Sequence, residues 1–323
     1  VSPKPLRGYA RWLIQVGVSA VALVAIFAVL PLGDVLATMR TIDARQWLVT
    51  LAVFLVGHVV SAAKWQLLAD SGAGFSASLR AHFGGLVANL WLPGVAGGDV
   101  VRAALLYRHV ADTTRLALGS VADRLVDTVG LLLIAGAGVV WSLPHFASAV
   151  NVLLGIGLGL AAVAAAALGL PATHRLLVRM LPATGRLGRL LDRVGTGAGA
   201  LWRRPARLVL CLALSMGVQA AFILANVELA RAAGVDVPIA LWFFAWPLSK
   251  IVATAPISLG GIGVREASLA GILAPFGAEP GAVVATGLIW QSVLLAGGVL
   301  GGLVVFCSDR ALRGRSGVPR GTT

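Results

Sequence analysis

Two ten-residue stretches share residue types suited to holding an anion. Pro93 to Arg102 reads PGVAGGDVVR, and Pro256 to Arg265 reads PISLGGIGVR, 163 residues further on. Both fit the pattern P-x-x-x-G-G-x-x-V-R. Paired glycines let a backbone approach a ligand closely. A helix starting there turns unpaired N–H groups and the positive end of its dipole toward the same point. An arginine on its first turn can grip a phosphate with two parallel hydrogen bonds. Helices are expected to begin at about Asp99 and about Val264. Gly97, Gly98, Asp99 and Arg102 thus form one candidate anion seat, and Gly260, Gly261, Gly263, Arg265 and Glu266 a second. A plainer role remains open, in which the glycines serve packing, Arg102 pairs with Asp99 and Arg265 pairs with Glu266.

A third cluster, VADRLVDT from Val121 to Thr128, sets Asp123 and Asp127 four residues apart on one helix face, with Arg124 beside them. Ionisable groups inside an apolar segment are costly and usually face a cavity or a partner. This cluster can pair with the break arginines, carry a proton, or lie at a solvated end. Lys250, in the apolar arm before the second break, adds a further cation. Metal chemistry on the two aspartates needs more carboxylates than the chain offers around them. The five histidines are scattered without ligand spacing, and no nucleotide or nucleophile-elbow fingerprint occurs. No catalytic residue, metal or cofactor is expected.

These residues sit in a chain of 323 residues that is 58% hydrophobic and only 12% charged. Several apolar runs reach the roughly 20 residues that cross a bilayer core. The fold class expected is an all-α polytopic membrane protein, a single membrane domain over 1–323. Six spans are expected at about 12–32, 47–68, 116–142, 148–170, 208–230 and 281–306. The segments 79–107 and 239–277 each hold two short apolar halves around a break, which reads as a re-entrant hairpin or a pair of tilted helices. The net charge of +13 does not point to nucleic acid. Arg175, Arg179, Arg186, Arg189, Arg193, Arg203, Arg204 and Arg207 crowd one loop at 171–207, and the tail after Cys307 is also basic. Such clusters follow the positive-inside rule, placing that loop and both termini in the cytoplasm and favouring contact with anionic lipid. Cys211 and Cys307 lie in apolar runs and form no disulfide framework.

The repeated break divides the chain into a first repeat over 1–142 and a second over 148–308. Each holds three spans and one hairpin, and an odd number of spans turns the second copy upside down. Inverted-topology repeats are a transporter architecture, with binding near broken helices at the repeat interface. Irregular backbone at membrane depth survives only against protein or a water-filled cavity.

The segments LPGVAGGDVVRAALL, DRLVDTVGL and PISLGGIGVREASL resemble the lysylphosphatidylglycerol synthase transmembrane-region family. That family is also called flippase-like and includes the membrane half of the multiple peptide resistance factor. The resemblance spans nearly the whole chain. It carries the family signature onto Pro93, Gly97, Gly98, Asp99 and Arg102, then Asp123, Arg124 and Asp127, and then Gly260, Gly261, Gly263, Arg265 and Glu266. It implies a lipid-translocating module in a bacterial-type inner membrane. Bifunctional members add a cytosolic aminoacyl-transferase domain, which this sequence, ending at Thr323, lacks, so the synthase activity is not carried over. The expected function is a flippase or scramblase for an anionic, phosphate-bearing lipid or glycolipid. The alternatives are a non-transporting partner of a cell-envelope or glycolipid synthase, and a metal-dependent lipid-modifying enzyme.

Overall fold

A computed structural model describes residues 32–89, 95–107, 110, 112–145, 199, 203–253 and 261–315. The span expected at 12–32, save its last residue, the span expected at 148–170, most of the basic 171–207 loop, and Pro93, Pro256 and Gly260 lie outside the described residues.

The described residues form helices and no strand. They are α1 (Leu32–Met39), α2 (Ala44–Ala69), α3 (Phe75–Asn89), α4 (Val95–Tyr107), α5 (Thr113–Trp141), α6 (Pro205–Ala232), α7 (Ile239–Ala253), α8 (Val264–Leu273) and α9 (Pro280–Arg315). Each start has a local cause. The Asp43 N–H donates to Gln46 Oε1 ahead of α2. Asp112 accepts from the N–H groups of Thr114 and Arg115 at the head of α5, satisfying donors that have no partner within the helix. Pro205 opens α6 at a position where no N–H is needed. Glu279 accepts from Gly281 and Ala282 at the start of α9.

Among the described residues, four helices are long and apolar enough to cross a membrane: α2, α5, α6 and the Pro280–Leu303 part of α9. They coincide with four of the six expected spans. The 26 residues of α2 reach about 39 Å, beyond the roughly 30 Å hydrocarbon core. The 15 residues of α3 or α7 reach only about 22 Å. Each short helix instead packs on its sequence neighbour, α3 on α4 and α7 on α8.

The order long, short, short, long therefore occurs twice, as α2 to α5 and as α6 to α9. Packing follows the same exchange: α7 lies on α5 while α3 lies on α9, and α2 packs directly on α6. Close approach is needed where α5 meets α7. A Cβ on Gly138 would stand 2.5 Å from the backbone nitrogen of Phe244, so no larger residue fits. The main core gathers Phe54, Phe222, Trp242, Trp246 and Trp290 at these crossings.

Candidate functional site

The apolar bundle holds a chain of ion pairs, buried at Lys64, Arg102 and Asp123 and exposed at its Arg124 end. Lys64 of α2 is 2% exposed and lies between two carboxylates of α5. Its ammonium is 3.0 Å from Asp123 Oδ1 and also bonds Asp127 Oδ1. Asp127 accepts a further bond from Ser215 of α6, at 2.5 Å. Asp123 in turn accepts from Arg102 Nη2 at 2.8 Å, across the interface of α4 and α5. Arg102 also stands 3.2 Å from Asp99, one turn earlier on α4, and its guanidinium lies over the Trp65 ring. Asp99 then takes a two-pronged bond from Arg124. Three cations and three carboxylates thus compensate one another, as the buried charges of Lys64, Arg102 and Asp123 require.

This chain forms one wall of a cavity of about 110 Å³. The opposite wall comes from α6 and α7, where Lys250 Nζ donates to Gln219 Oε1 at 2.9 Å. Lys250 has no carboxylate partner among the described residues, so the cavity holds four cations against three anions. His58 of α2 and His82 of α3 also line it, sharing a hydrogen bond of 3.0 Å between His58 Nδ1 and His82 Nε2. At its edge Asn89 Oδ1 accepts from the Gly98 N–H at 2.8 Å.

The second break is built differently. Gly261 and Gly263 both adopt φ of +81°, a conformation that side chains resist. The Gly263 N–H donates to Glu266 Oε2 at 2.8 Å, so an acid on the first turn of α8 caps its own helix. The other oxygen of Glu266 accepts from Arg265, at 3.1 Å from Nε and again from Nη2. Arg265 also reaches Gln291 Oε1 at 3.3 Å and faces the Trp246 ring. Both residues are buried, Glu266 at 1% exposure.

Residues 12–302 match the family described as Lysylphosphatidylglycerol synthase TM region. The chain belongs to that family. No curated protein matches the chain. It is a multi-pass membrane protein by family and by its apolar helices.

In this family member the residues singled out by sequence fall into two groups. Gly98, Asp99, Arg102, Asp123, Arg124, Asp127 and Lys250 line one cavity. Gly261, Gly263, Arg265 and Glu266 form a separate buried cluster that does not line it, and Gly260 lies outside the described residues. Helix α8 begins at Val264 as expected. Helix α4 begins at Val95, earlier than the expected Asp99, which puts Gly97 and Gly98 inside its first turn. The Gly98 N–H is consequently taken by Asn89 and is not open to a ligand. A Cβ on Gly98 would lie 2.4 Å from the carbonyl oxygen of Gly85, so this glycine serves helix contact. Arg102 has Asp99 as one partner and Asp123 as the closer one.

Sequence reasoning missed Lys64, His58, His82, Gln219, Ser215 and Asn89. The signal for Lys64 was present, since an ammonium within the apolar run 47–68 needs a partner. It reads instead as a topology marker, because nothing in the order of residues puts it opposite Asp123 and Asp127. His58 and His82 stand 24 positions apart and meet only through the packing of α2 on α3.

Proposed function

We propose that this protein moves lipids carrying an anionic phosphate headgroup across the membrane, and that the headgroup enters the cavity facing Lys250. Lys250 carries the reading. The six other charges neutralise one another, while this ammonium holds only the neutral amide of Gln219. An anion arriving there replaces a neutral acceptor with a charged one, turning an ion–amide bond into an ion pair, and breaks no existing ion pair. Arg102 and Arg124 act as a charged wall that holds the headgroup in place, and the Arg265–Glu266 cluster fixes the second break.

The exchange of packing between α2–α5 and α6–α9 supports an inverted-topology repeat, in which one repeat rocks against the other around the cavity. The short helix pairs α3–α4 and α7–α8 act as its re-entrant hairpins. On this reading both termini and the basic 171–207 loop face the cytoplasm of a bacterial-type cell, where the loop meets anionic lipid or a cell-envelope synthase. The chain acts as a non-catalytic membrane domain, consistent with a family defined on the membrane region of a synthase.

Purified protein in phosphatidylcholine vesicles containing headgroup-labelled phosphatidylglycerol or phosphatidic acid tests this. Wild type accelerates transbilayer movement of an anionic label. Lys250→Gln slows it by about 10- to 100-fold, the worth of one hydrogen bond to a charged group of about 1.5–3 kcal/mol. Unchanged movement in Lys250→Gln, or no movement of any anionic lipid by wild type, refutes the proposal.

A further inference from the structure

Besides Lys250 and the ion-pair chain, the cavity holds a pair of histidines. His58 and His82 share a hydrogen bond inside it, at 3.0 Å. Their surroundings are aromatic: Phe54 packs edge-on against His58, Phe222 lies beside it, and Phe83 lies edge-on against His82. Neither imidazole bonds a carboxylate among the described residues, and His82 Nδ1 is buried there without a partner. In a neutral pair one ring donates to the other. Whichever tautomers hold, one outer ring nitrogen then carries a hydrogen and the other keeps a lone pair. The pair can therefore accept one proton at that lone pair while its shared bond stays intact.

The charges facing the pair decide when it does so. From α2 comes Lys64, from α4 Asp99 and Arg102, from α5 Asp123, Arg124 and Asp127, and from α7 Lys250. Helix α6 presents the neutral Ser215 and Gln219, and α9 sets the apolar Trp290 against Phe54 and Phe222. With three pairs closed, the surplus is the single charge of Lys250. A phosphodiester headgroup brings one negative charge and is matched by Lys250 alone. A phosphomonoester above its second ionisation, or a diphosphate, brings more, and leaves an uncompensated anion in a low-dielectric cavity. Protonating Asp99, Asp123 or Asp127 to meet it would dismantle an ion pair. Among the described lining residues, only His58 and His82 can gain positive charge without doing so.

We infer that the His58–His82 pair is a proton-binding site that fills when a lipid phosphate of more than one negative charge occupies the cavity, so that a proton travels with such a headgroup. The inference rests on the proposed lipid-binding role of the cavity. It makes the pair the adjustable part of the charge balance and Lys250 the constant part. Binding linkage is reciprocal, so a lipid that recruits the proton is itself held more tightly when the proton is present.

Full-length protein labelled with 15N-histidine, in nanodiscs of phosphatidylcholine alone, with phosphatidylglycerol, or with phosphatidic acid, gives a direct reading. At a pH above the second ionisation of the phosphomonoester, the imidazole nitrogens report whether a ring carries one hydrogen or two. The expected result is one doubly protonated imidazole in phosphatidic acid discs, absent from the other two and lost in His58→Gln and in His82→Gln. Should either variant fold poorly, the three-lipid comparison on wild type still decides. Neutral rings in all three lipids overturn the inference, and so does an imidazolium present equally in phosphatidylglycerol and phosphatidic acid. Neutral rings alongside measured lipid movement sink the proton site and leave transport standing. An imidazolium specific to phosphatidic acid without lipid movement does the reverse.

Discussion

Replacing Lys64 with methionine keeps most of the side-chain volume and removes the ammonium that Asp123 and Asp127 share. The two carboxylates do not suffer equally. Asp123 is buried but keeps Arg102 at 2.8 Å, so one of its two cations survives. Asp127 keeps only the Ser215 hydroxyl, although its side chain is 23% exposed and so partly relieved by the cavity. Breaking a buried pair by deleting one partner costs about 3–5 kcal/mol. The residual partners place Lys64→Met near the low end, about 3 kcal/mol. Asp127→Asn removes the charge that the lost ammonium leaves exposed, so Lys64→Met/Asp127→Asn recovers about 1–2 kcal/mol of that cost, within the range of measured couplings between contacting residues. Reversible unfolding in mixed micelles, followed by loss of helical circular dichroism, measures all four members of the cycle. A Lys64→Met penalty below about 1 kcal/mol, or strict additivity in the double variant, would refute the ion-pair chain as a stabilising unit.

Two further substitutions address the breaks. Glu266→Gln keeps an acceptor for the Gly263 N–H but leaves Arg265 buried without a carboxylate, so it lowers stability by about 3 kcal/mol in the same unfolding assay. The double variant Arg265→Met/Glu266→Gln recovers most of that loss if the cluster is structural. Gly98→Ala forces a methyl against the Gly85 carbonyl and the Asn89 side chain, costing about 1–3 kcal/mol by overpacking. Wild-type stability in Gly98→Ala would mean that α3 and α4 can separate at this point.

Much of the architecture is written in local chemistry. The two Pro-Gly breaks, the short apolar halves around them and the long apolar runs follow from spacing alone, and α3–α4 and α7–α8 fall where the breaks divide the chain. The Arg265–Glu266 pair is equally legible, because adjacent residues at a helix start have few other partners to choose. The Lys64 bridge is not, because Lys64 reads as a boundary charge until α2 is seen beside α5. The two breaks also look alike in sequence and differ in use: Arg102 joins a charge chain with cavity access, while Arg265 is enclosed with its own acid.

The sequence by itself determined the class of protein, the long apolar helices and the two places where the helical run is interrupted. These depend on hydrophobic length and on the backbone limits of proline and glycine, which act over a few residues. The tertiary structure alone decided which charges on different helices meet. Ion pairing depends on distances between different helices, so the packing of α2 against α5 and α6 created the Lys64 bridge, and the packing of α2 on α3 brought His58 to His82. The same packing left Lys250 facing the cavity without a carboxylate partner among the described residues, a surplus charge that the order of residues does not reveal and on which the proposed lipid binding rests.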